Sequence, residues 1–210
     1  ISQTSDDSDF GAIHLSLAAG TYEVVAIGHN GSGTTISSPE KITFTSNKVT
    51  DTFHYYGILD VTDGEKTTES ITLKRAVGMF RLVIKDEIPE QAKKIKFYYT
   101  GGSSTLNAKT GYGCVNSKQT EILDLVKKQQ VYEVYTFPHE GDKKLTVSID
   151  ILDKNDFTIA TTTFSDVPIL KNYITKYSGK LFTGLSGGTG DIDIDFVFDP
   201  EWAGENEYEF

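Results

Sequence analysis

Apolar and polar residues alternate in many short segments, and this period of two restricts the chain's possible folds more than any other feature. The pattern is clear in "KITFTS", in "FRLVIK" and in "KKLTVSIDIL". Clusters of Gly, Asn, Asp and Ser separate the segments at regular spacing, as turns do between strands. About a dozen short strands result, a pattern typical of all-β sandwiches rather than of βαβ units.

The order of the segments predicts a division into two units. The strands before residue 75 would form a small unit, 1–75, and the later ones a larger unit, 76–210. In the first unit, "AIHLSL" and "TYEVVAIGHN" predict a hairpin that turns around Gly20. In the second, "QTEILDLVKKQQ" fits a short helix or a strand, and "GGSSTLNAKTGYG" predicts a long loop.

Composition and charge exclude some partners. Hydrophobic residues make up 38% of the 210 residues, which is enough to bury a core. The formal net charge is −10, and eight of the thirty acidic residues lie in 191–210, where there is no Lys or Arg. A nucleic acid partner is therefore not expected, because its phosphates would be repelled.

The cysteine content and the start of the chain bear on its location. The single cysteine, Cys114, allows no internal disulfide, and no apolar run is long enough for a membrane-spanning helix. The chain starts at Ile1 with no leader pattern, which fits either a trimmed cytosolic protein or a piece of an exported precursor. We expect the exported precursor.

Two motifs suggest chemistry, but their surroundings argue against it. "GLSGG" at 184–188 matches a nucleophile elbow, which needs a following helix and a later His. All four histidines precede Ser186, and the residues after it resemble loop and strand. "DIDID" at 191–195 resembles a calcium loop, but Phe196 and Trp202 occupy the positions that require Gly and an acid.

No other residues form a recognisable reactive set. The histidines lack metal-ligand spacing, Cys114 has no evident base, and Lys74 and Arg75 indicate a solvated joint between strands. We therefore expect no enzyme activity, no metal and no cofactor. Exposed aromatic side chains at Tyr98, Tyr99 and Trp202 would favour an alternative function, a surface glycan-binding or adhesin sandwich module.

Three blocks of the sequence together resemble the fimbrillin-type proteins of Bacteroidales. "GTYEVVA" resembles that family's early strand, and "ITLKRAVGMFRLVIKDEIPE" resembles its joint between domains and the first strand of its second domain. "VPILKNYITKYSGKLF" resembles a late block of the family, with its pattern residues at Val167, Pro168, Asn172, Thr175, Tyr177, Gly179, Leu181 and Phe182. The resemblance covers about residues 15 to 200 and is strongest to the minor-subunit, or anchor, branch.

The resemblance implies two transthyretin-like β-sandwich domains in an exported lipoprotein of the cell surface. Such a protein is attached to the outer membrane or built into fimbriae, and it supports adhesion without catalysis. Its partners would be other fimbrial subunits, joined by strand exchange, with a host protein or glycan as a further partner. Contact with a membrane would come only through a lipid on an N-terminal Cys that precedes this chain. The first domain is short, so we expect it to be incomplete here.

The last alternating segment is the candidate exchanged strand. Residues 191–198 place four apolar side chains on one face at period two, which suits a strand that is added to another sheet. An equally good interpretation is that this segment is the last strand of its own domain. The four candidate residues are Ile192, Ile194, Phe196 and Phe198.

Overall fold

A computed structural model describes residues 1–141 and 144–182, together with the backbone of 194–199. The described residues form strands and turns, with one short 3-10 turn at Thr45–Asn47 and no α-helix. No helix in this part of the chain could cross a membrane. The strands are β1 (Gly20–His29), β2 (Thr34–Ser38), β3 (Lys41–Phe44), β4 (Thr52–Val61), β5 (Lys74–Arg75), β6 (Gly78–Ile84), β7 (Lys94–Thr100), β8 (Thr105–Asn107), β9 (Tyr112–Gly113), β10 (Lys118–Asp124), β11 (Val131–Thr136), β12 (Lys144–Leu152), β13 (Thr158–Pro168), β14 (Ile174–Gly179) and β15 (Ile194–Asp199).

Two four-stranded sheets enclose the larger core. Their strand orders are β10-β7-β12-β13 and β11-β6-β14-β15, and the pairs are antiparallel except for β6 with β14. The alternating residues of these strands fill the space between the sheets, where Phe80, Phe164 and Tyr177 pack ring to ring. The Phe164 and Tyr177 ring centroids lie 4.9 Å apart. The predicted all-β sandwich class is confirmed.

A smaller core lies near the start of the chain. The sheet β1-β4-β5 and the sheet β2-β3-β8-β9 contribute to it, with Ile42, Phe44 and Leu106 at its centre. The hairpin β8–β9 comes from the second half of the sequence but pairs with β3 through Ile42–Leu106 and Thr43–Thr105. The division at residue 75 stays a prediction, and the strand pairing crosses it at this hairpin.

Arg75 joins the two halves. Its Nε and Nη2 donate to the two carboxylate oxygens of Asp51 at 2.7 and 3.0 Å, and its Nη1 donates to Oδ1 of Asn172 at 3.1 Å. The guanidinium also lies 4.6 Å from the centroid of the Phe53 ring. The expectation of a solvated joint is therefore wrong for Arg75, because a planar five-donor group can serve several partners at once.

Two local predictions differ from the structure, and the structure decides between the two alternatives of a third. The hairpin around Gly20 is wrong: β1 pairs with β4 along its whole length, and "AIHLSL" forms no strand. Strand β10 resolves the ambiguity of "QTEILDLVKKQQ", since its antiparallel ladder with β7 fixes an extended backbone. The long loop "GGSSTLNAKTGYG" is wrong in part, because β8 and β9 form a hairpin that β3 stabilises. These outcomes depend on distant partners rather than on local propensity.

Two residues of the late block occupy positions that suit their backbone properties. Asn172 has a φ of 63°, which is the left-handed conformation of a turn and marks the bend before β14. Pro168 ends β13, which is an edge strand, so its missing N–H leaves no ladder bond unmade.

Candidate functional site

The candidate site is the N-terminal sheet β1-β4-β5, which is poorly covered. Thr52 is the only fully buried residue in these three strands. In β6, by contrast, five of seven residues are buried. A sheet gains most of its stability by burying a face against another layer, so this sheet is unusually dependent on additional contacts.

Each face of this sheet is only half covered. Val25, Ile27 and Tyr56 lie on one face and pack against the smaller core. The opposite face is apolar too, although its side chains are only half-buried: Tyr22, Val24, Ala26, Phe53, Tyr55, Leu59 and Val61. A soluble protein rarely leaves a contiguous apolar surface of this kind without a binding role.

Both edges of the sheet are open over long stretches. In the described part of the chain, β1 pairs only with β4, so its second edge is free along ten residues. β5 pairs with β4 only at Phe53 and His54, so no strand among the described residues pairs with the second edge of β4 from Tyr55 to Val61. Free backbone N–H and C=O groups at such edges can accept another strand.

The segment before β1 adds exposed apolar side chains. Ile13, Leu15 and Leu17 alternate as a strand would, and they are 54%, 60% and 39% exposed. The segment has no ladder partner among the described residues. It contacts the sheet near Ala18, whose carbonyl accepts a hydrogen bond from the Tyr22 hydroxyl at 2.9 Å. The apolar surface therefore continues beyond the sheet.

The predicted exchanged strand lies at a different place. Ile192 lies outside the described residues, whereas Ile194, Phe196 and Phe198 belong to β15. β15 pairs antiparallel with β14 of the same chain and forms the edge of the larger sandwich. The assignment of these residues to strand exchange stays a prediction.

The other side chains considered from sequence form no site within the described residues. Tyr99 is 1% exposed, so its interpretation as a sugar-stacking side chain is wrong, because the alternation of β7 turns it inward. Tyr98 is 36% exposed, while Trp202 and "GLSGG" lie outside the described residues. Cys114 is an exposed residue, but partial burial of its thiol raises the pKa of that thiol, so the thiolate is disfavoured. No group of metal-ligating side chains converges within the described ranges.

The open edge of β4 was not among the features predicted from the sequence. The available signal was the polar run after that strand, "TDGEKTTES" at 62–70, which contains no apolar residue to build a full partner strand. Such a run predicts that the next strand along the sheet is short. β5 is indeed only two residues long.

Comparison with known proteins places this architecture in a family. The family of unknown function DUF6562 matches residues 33–210. The chain belongs to this family. A search among curated proteins finds no match. The family match begins at residue 33, in the turn between β1 and β2, and covers every later strand. It includes the hairpin β8–β9, which completes the smaller core.

Two solved structures of similar fold come from Bacteroides ovatus. A candidate cell adhesion protein from Bacteroides ovatus aligns with a TM-score of 0.50 and 16% identity, over 93% of this chain and 72% of that one. A candidate adhesin from the same species aligns with a TM-score of 0.50 and 14% identity, over 70% of this chain and 66% of that one. The chain thus spans just under two thirds of that adhesin. These two likenesses show the fold.

A third structure is the fimbrial anchor protein Mfa2 from Porphyromonas gingivalis. It aligns with a TM-score of 0.38 and 10% identity, over 87% of this chain and 77% of that one. A likeness at this level supports no argument about this chain.

Proposed function

We propose that this protein is a non-catalytic subunit or anchor of fimbriae on the bacterial surface, which assembles by β-strand complementation and supports adhesion. The observation that carries the proposal is the N-terminal sheet, where Thr52 is the only buried residue of three strands. A strand supplied by a neighbouring subunit would pair with a free edge and cover apolar side chains. Added backbone hydrogen bonds provide affinity, and the alternating side chains provide specificity.

Both parts of such an exchange have candidates in this chain. The free edges of β1 and β4 are candidate acceptors, as they carry unpaired backbone groups beside half-buried apolar side chains. The candidate donor is the segment 191–198, whose described part is an edge strand. An edge strand can leave its sheet without breaking ladder bonds on two sides, so it is the least costly strand to donate.

The proposal includes the location of the protein. We propose that it is exported and held at the outer membrane by a lipid on a Cys that precedes Ile1, or is incorporated in the filament. Its partners would then be other fimbrial subunits. A host protein or glycan would be a further partner in adhesion.

Cysteine cross-linking tests whether β15 is exchanged. Lys176 and Val197 are partners in the register of β14 and β15. Two single variants, Lys176→Cys and Val197→Cys, are made in a Cys114→Ser background and mixed under oxidising conditions. If β15 passes between copies, a disulfide-linked dimer forms in the mixture. In that dimer, β15 of the Val197→Cys copy lies beside β14 of the Lys176→Cys copy, so the two cysteines are register partners.

The matched control replaces Lys176→Cys by Lys118→Cys, which lies on β10 in the other sheet of the sandwich. A dimer with Lys176→Cys and none with Lys118→Cys supports exchange of β15. If the mixture stays monomeric while the double variant Lys176→Cys/Val197→Cys closes an internal disulfide, β15 belongs to its own sheet and this donor is excluded.

Immunogold electron microscopy of intact cells tests the location. Gold along filaments, or where filaments meet the cell, supports the fimbrial assignment. Gold spread over cells without any association with filaments overturns it.

A further inference from the structure

A cleft lies beside the free edge of β4, where the two halves of the molecule meet. It has a volume of about 320 Å³ and is lined by His54, Tyr55, Tyr56, Thr72, Lys74 and Lys109, among others. Ligand pockets for small molecules begin at about this size. Its lining is mainly hydroxyl, ring and cationic groups, so it suits a hydrophilic ligand.

Three basic side chains lie close together at this cleft: His54 and Lys74 line it, and Lys171 lies beside them, outside its lining. His54 and Lys74 are cross-strand partners on β4 and β5. The backbone of Gly111, in the turn between β8 and β9, passes close to them: a Cβ there would touch the His54 ring and lie 3.0 Å from Nζ of Lys171. Gly111 has a φ of +71°, so both its conformation and this close approach favour glycine.

These side chains are oriented by specific contacts. Nδ1 of His54 lies 3.1 Å from the carbonyl oxygen of Ala108, an acceptor, so this nitrogen carries the proton and Nε2 is turned toward Gly111 and Lys171. Nζ of Lys171 lies 4.0 Å from the centroid of the Tyr112 ring. The ring and the carbonyl hold the basic groups in place without neutralising their charge.

The positive charge at this end is not balanced by an ion pair. Within the described ranges, no carboxylate lies within 4.0 Å of the ammonium group of Lys74 or Lys171. Burial lowers the pKa of His54, and the charges of Lys171 and Lys74 lower it further. Burial also lowers the pKa of Lys171, and the charge of Lys74 adds to this effect. In a chain of net charge −10, such a cluster is a local site where an anion would be attracted.

The other end of the cleft is already neutral. Lys109 forms ion pairs with Glu23 at 2.8 Å and with Glu40 at 2.6 Å. The Tyr56 hydroxyl donates to Glu23 at 2.6 Å. The ammonium group of Lys109 also lies 5.3 Å from the centroid of the Tyr56 ring. Tyr56 and Lys109 line the cleft, and the Glu23 carboxylate that both contact lies beside it, where its oxygens can accept hydrogen bonds from hydroxyl groups.

We propose that this cleft binds an acidic saccharide unit, with the sugar's carboxylate or sulfate between Lys171, Lys74 and His54 and its hydroxyls toward Tyr56 and Glu23. A sugar ring matches the tyrosine-lined middle of the cleft, and its acidic group matches the unpaired cations. An acidic peptide would meet the cations equally well, but it would use neither the hydroxyl acceptors nor the rings. The binding does not depend on strand exchange.

Acidification strengthens the binding. His54 is neutral in the free protein at neutral pH because its pKa is lowered from 6.5 by burial and by Lys171 and Lys74. A bound anion favours the protonated ring and raises that pKa again. The other charged groups nearby are Glu140, close to Lys171, and Lys109, which is paired with Glu23 and Glu40. Affinity therefore rises as pH falls below neutral, because protonation of His54 adds a positive charge that favours the bound anion.

The test is an NMR titration of the isotope-labelled protein with D-glucuronic acid, N-acetylneuraminic acid and glucose 6-sulfate, with neutral glucose for comparison. We expect saturable shifts at His54 and Gly111 with at least one acidic sugar, and none with glucose. The first two sugars carry a carboxylate and the third carries a sulfate, so comparison of their affinities shows which acidic group the cleft prefers. Lys171→Gln and Lys74→Gln should each weaken binding about tenfold, the usual effect of losing one charge-assisted hydrogen bond.

Lys118→Gln is the matched control, because this exposed lysine lies on β10, away from the cleft. It should bind as the unmodified chain does, and unchanged thermal unfolding shows that each variant is folded. The proposal is overturned if no acidic sugar binds, if glucose binds equally, or if both cleft variants keep full affinity. Binding of an oligo-aspartate peptide in place of the sugars also overturns it.

Discussion

Glu121 places a carboxylate in the interior of the molecule. On β10 it stands opposite the buried Phe97, and its Oε1 accepts a hydrogen bond of 3.4 Å from the Tyr99 hydroxyl. The ammonium group of Lys48, from the first half of the chain, lies 3.4 Å from its Oε2. Burial raises the pKa of Glu121 above 4.5, although Lys48 and Tyr99 oppose the shift. A single cation thus only partly offsets the loss of water around this charge.

This burial predicts a pH dependence of stability. Because its pKa is raised, Glu121 holds a proton more tightly in the folded chain than in the unfolded chain, so its contribution to the free energy of unfolding falls as pH rises from about 4.5 through the raised pKa. The free energy of unfolding should therefore fall less between pH 5 and pH 7.5 in Glu121→Gln than in the unmodified chain. Urea unfolding at the two pH values measures it.

Glu90→Gln, at an exposed position, is the control and should leave that pH dependence as it is. An unchanged pH dependence in Glu121→Gln would show that the carboxylate is not effectively buried.

At the scale of the elements, the segment before β1 has the pattern of a strand but no ladder partner among the described residues. Ile13, Leu15 and Leu17 alternate, yet the segment pairs with neither free edge of the neighbouring sheet. Alternation makes a segment suitable for pairing, but it does not by itself form a ladder.

Substitution of the segment tests whether it contributes to the stability of its own chain. The triple variant Ile13→Lys, Leu15→Lys and Leu17→Lys should change the free energy of unfolding by less than about 0.5 kcal/mol per site, because exposed side chains contribute little to stability. Chemical denaturation measures this change. A loss of several kcal/mol would instead show that the segment pairs within its own chain.

At the scale of the whole molecule, the two halves share their smaller core. Leu106, from the hairpin β8–β9, is fully buried with Ile42 and Phe44 from the first half and Phe137 from the second. Ile42, Phe44 and Val49 are the only fully buried large apolar residues before residue 75. So few buried side chains cannot stabilise a unit of that size alone, and the hairpin makes the first half depend on the second.

Leu106→Ala therefore tests this dependence. Truncation of a fully buried leucine should reduce the free energy of unfolding by about 2–5 kcal/mol. Hydrogen exchange should show faster opening of β1 and β4, which do not contact the mutated hairpin directly through a ladder. Leu170→Ala, at a side chain that is 42% exposed, is the control and should cost much less. Equal effects of the two substitutions would show that the hairpin does not support the first half.

The sequence alone determined the class of the fold and much of its local geometry. Period-two alternation specifies which side chains of a strand share a face, so it predicted the inward residues of β6 and β12. The left-handed turn at Asn172 and the edge position of Pro168 suit backbone properties that belong to single residues.

Only the tertiary structure decided which strands pair and which side chains converge. The partner of β1, the inward position of Tyr99, the contacts of Arg75 with Asp51 and Asn172, and the cluster of His54 and Lys171 were decided by residues that are distant in the sequence. Alternation assigns faces, but it does not specify a partner. Pairing depends on which free edges the fold brings together and on how much apolar surface each choice buries.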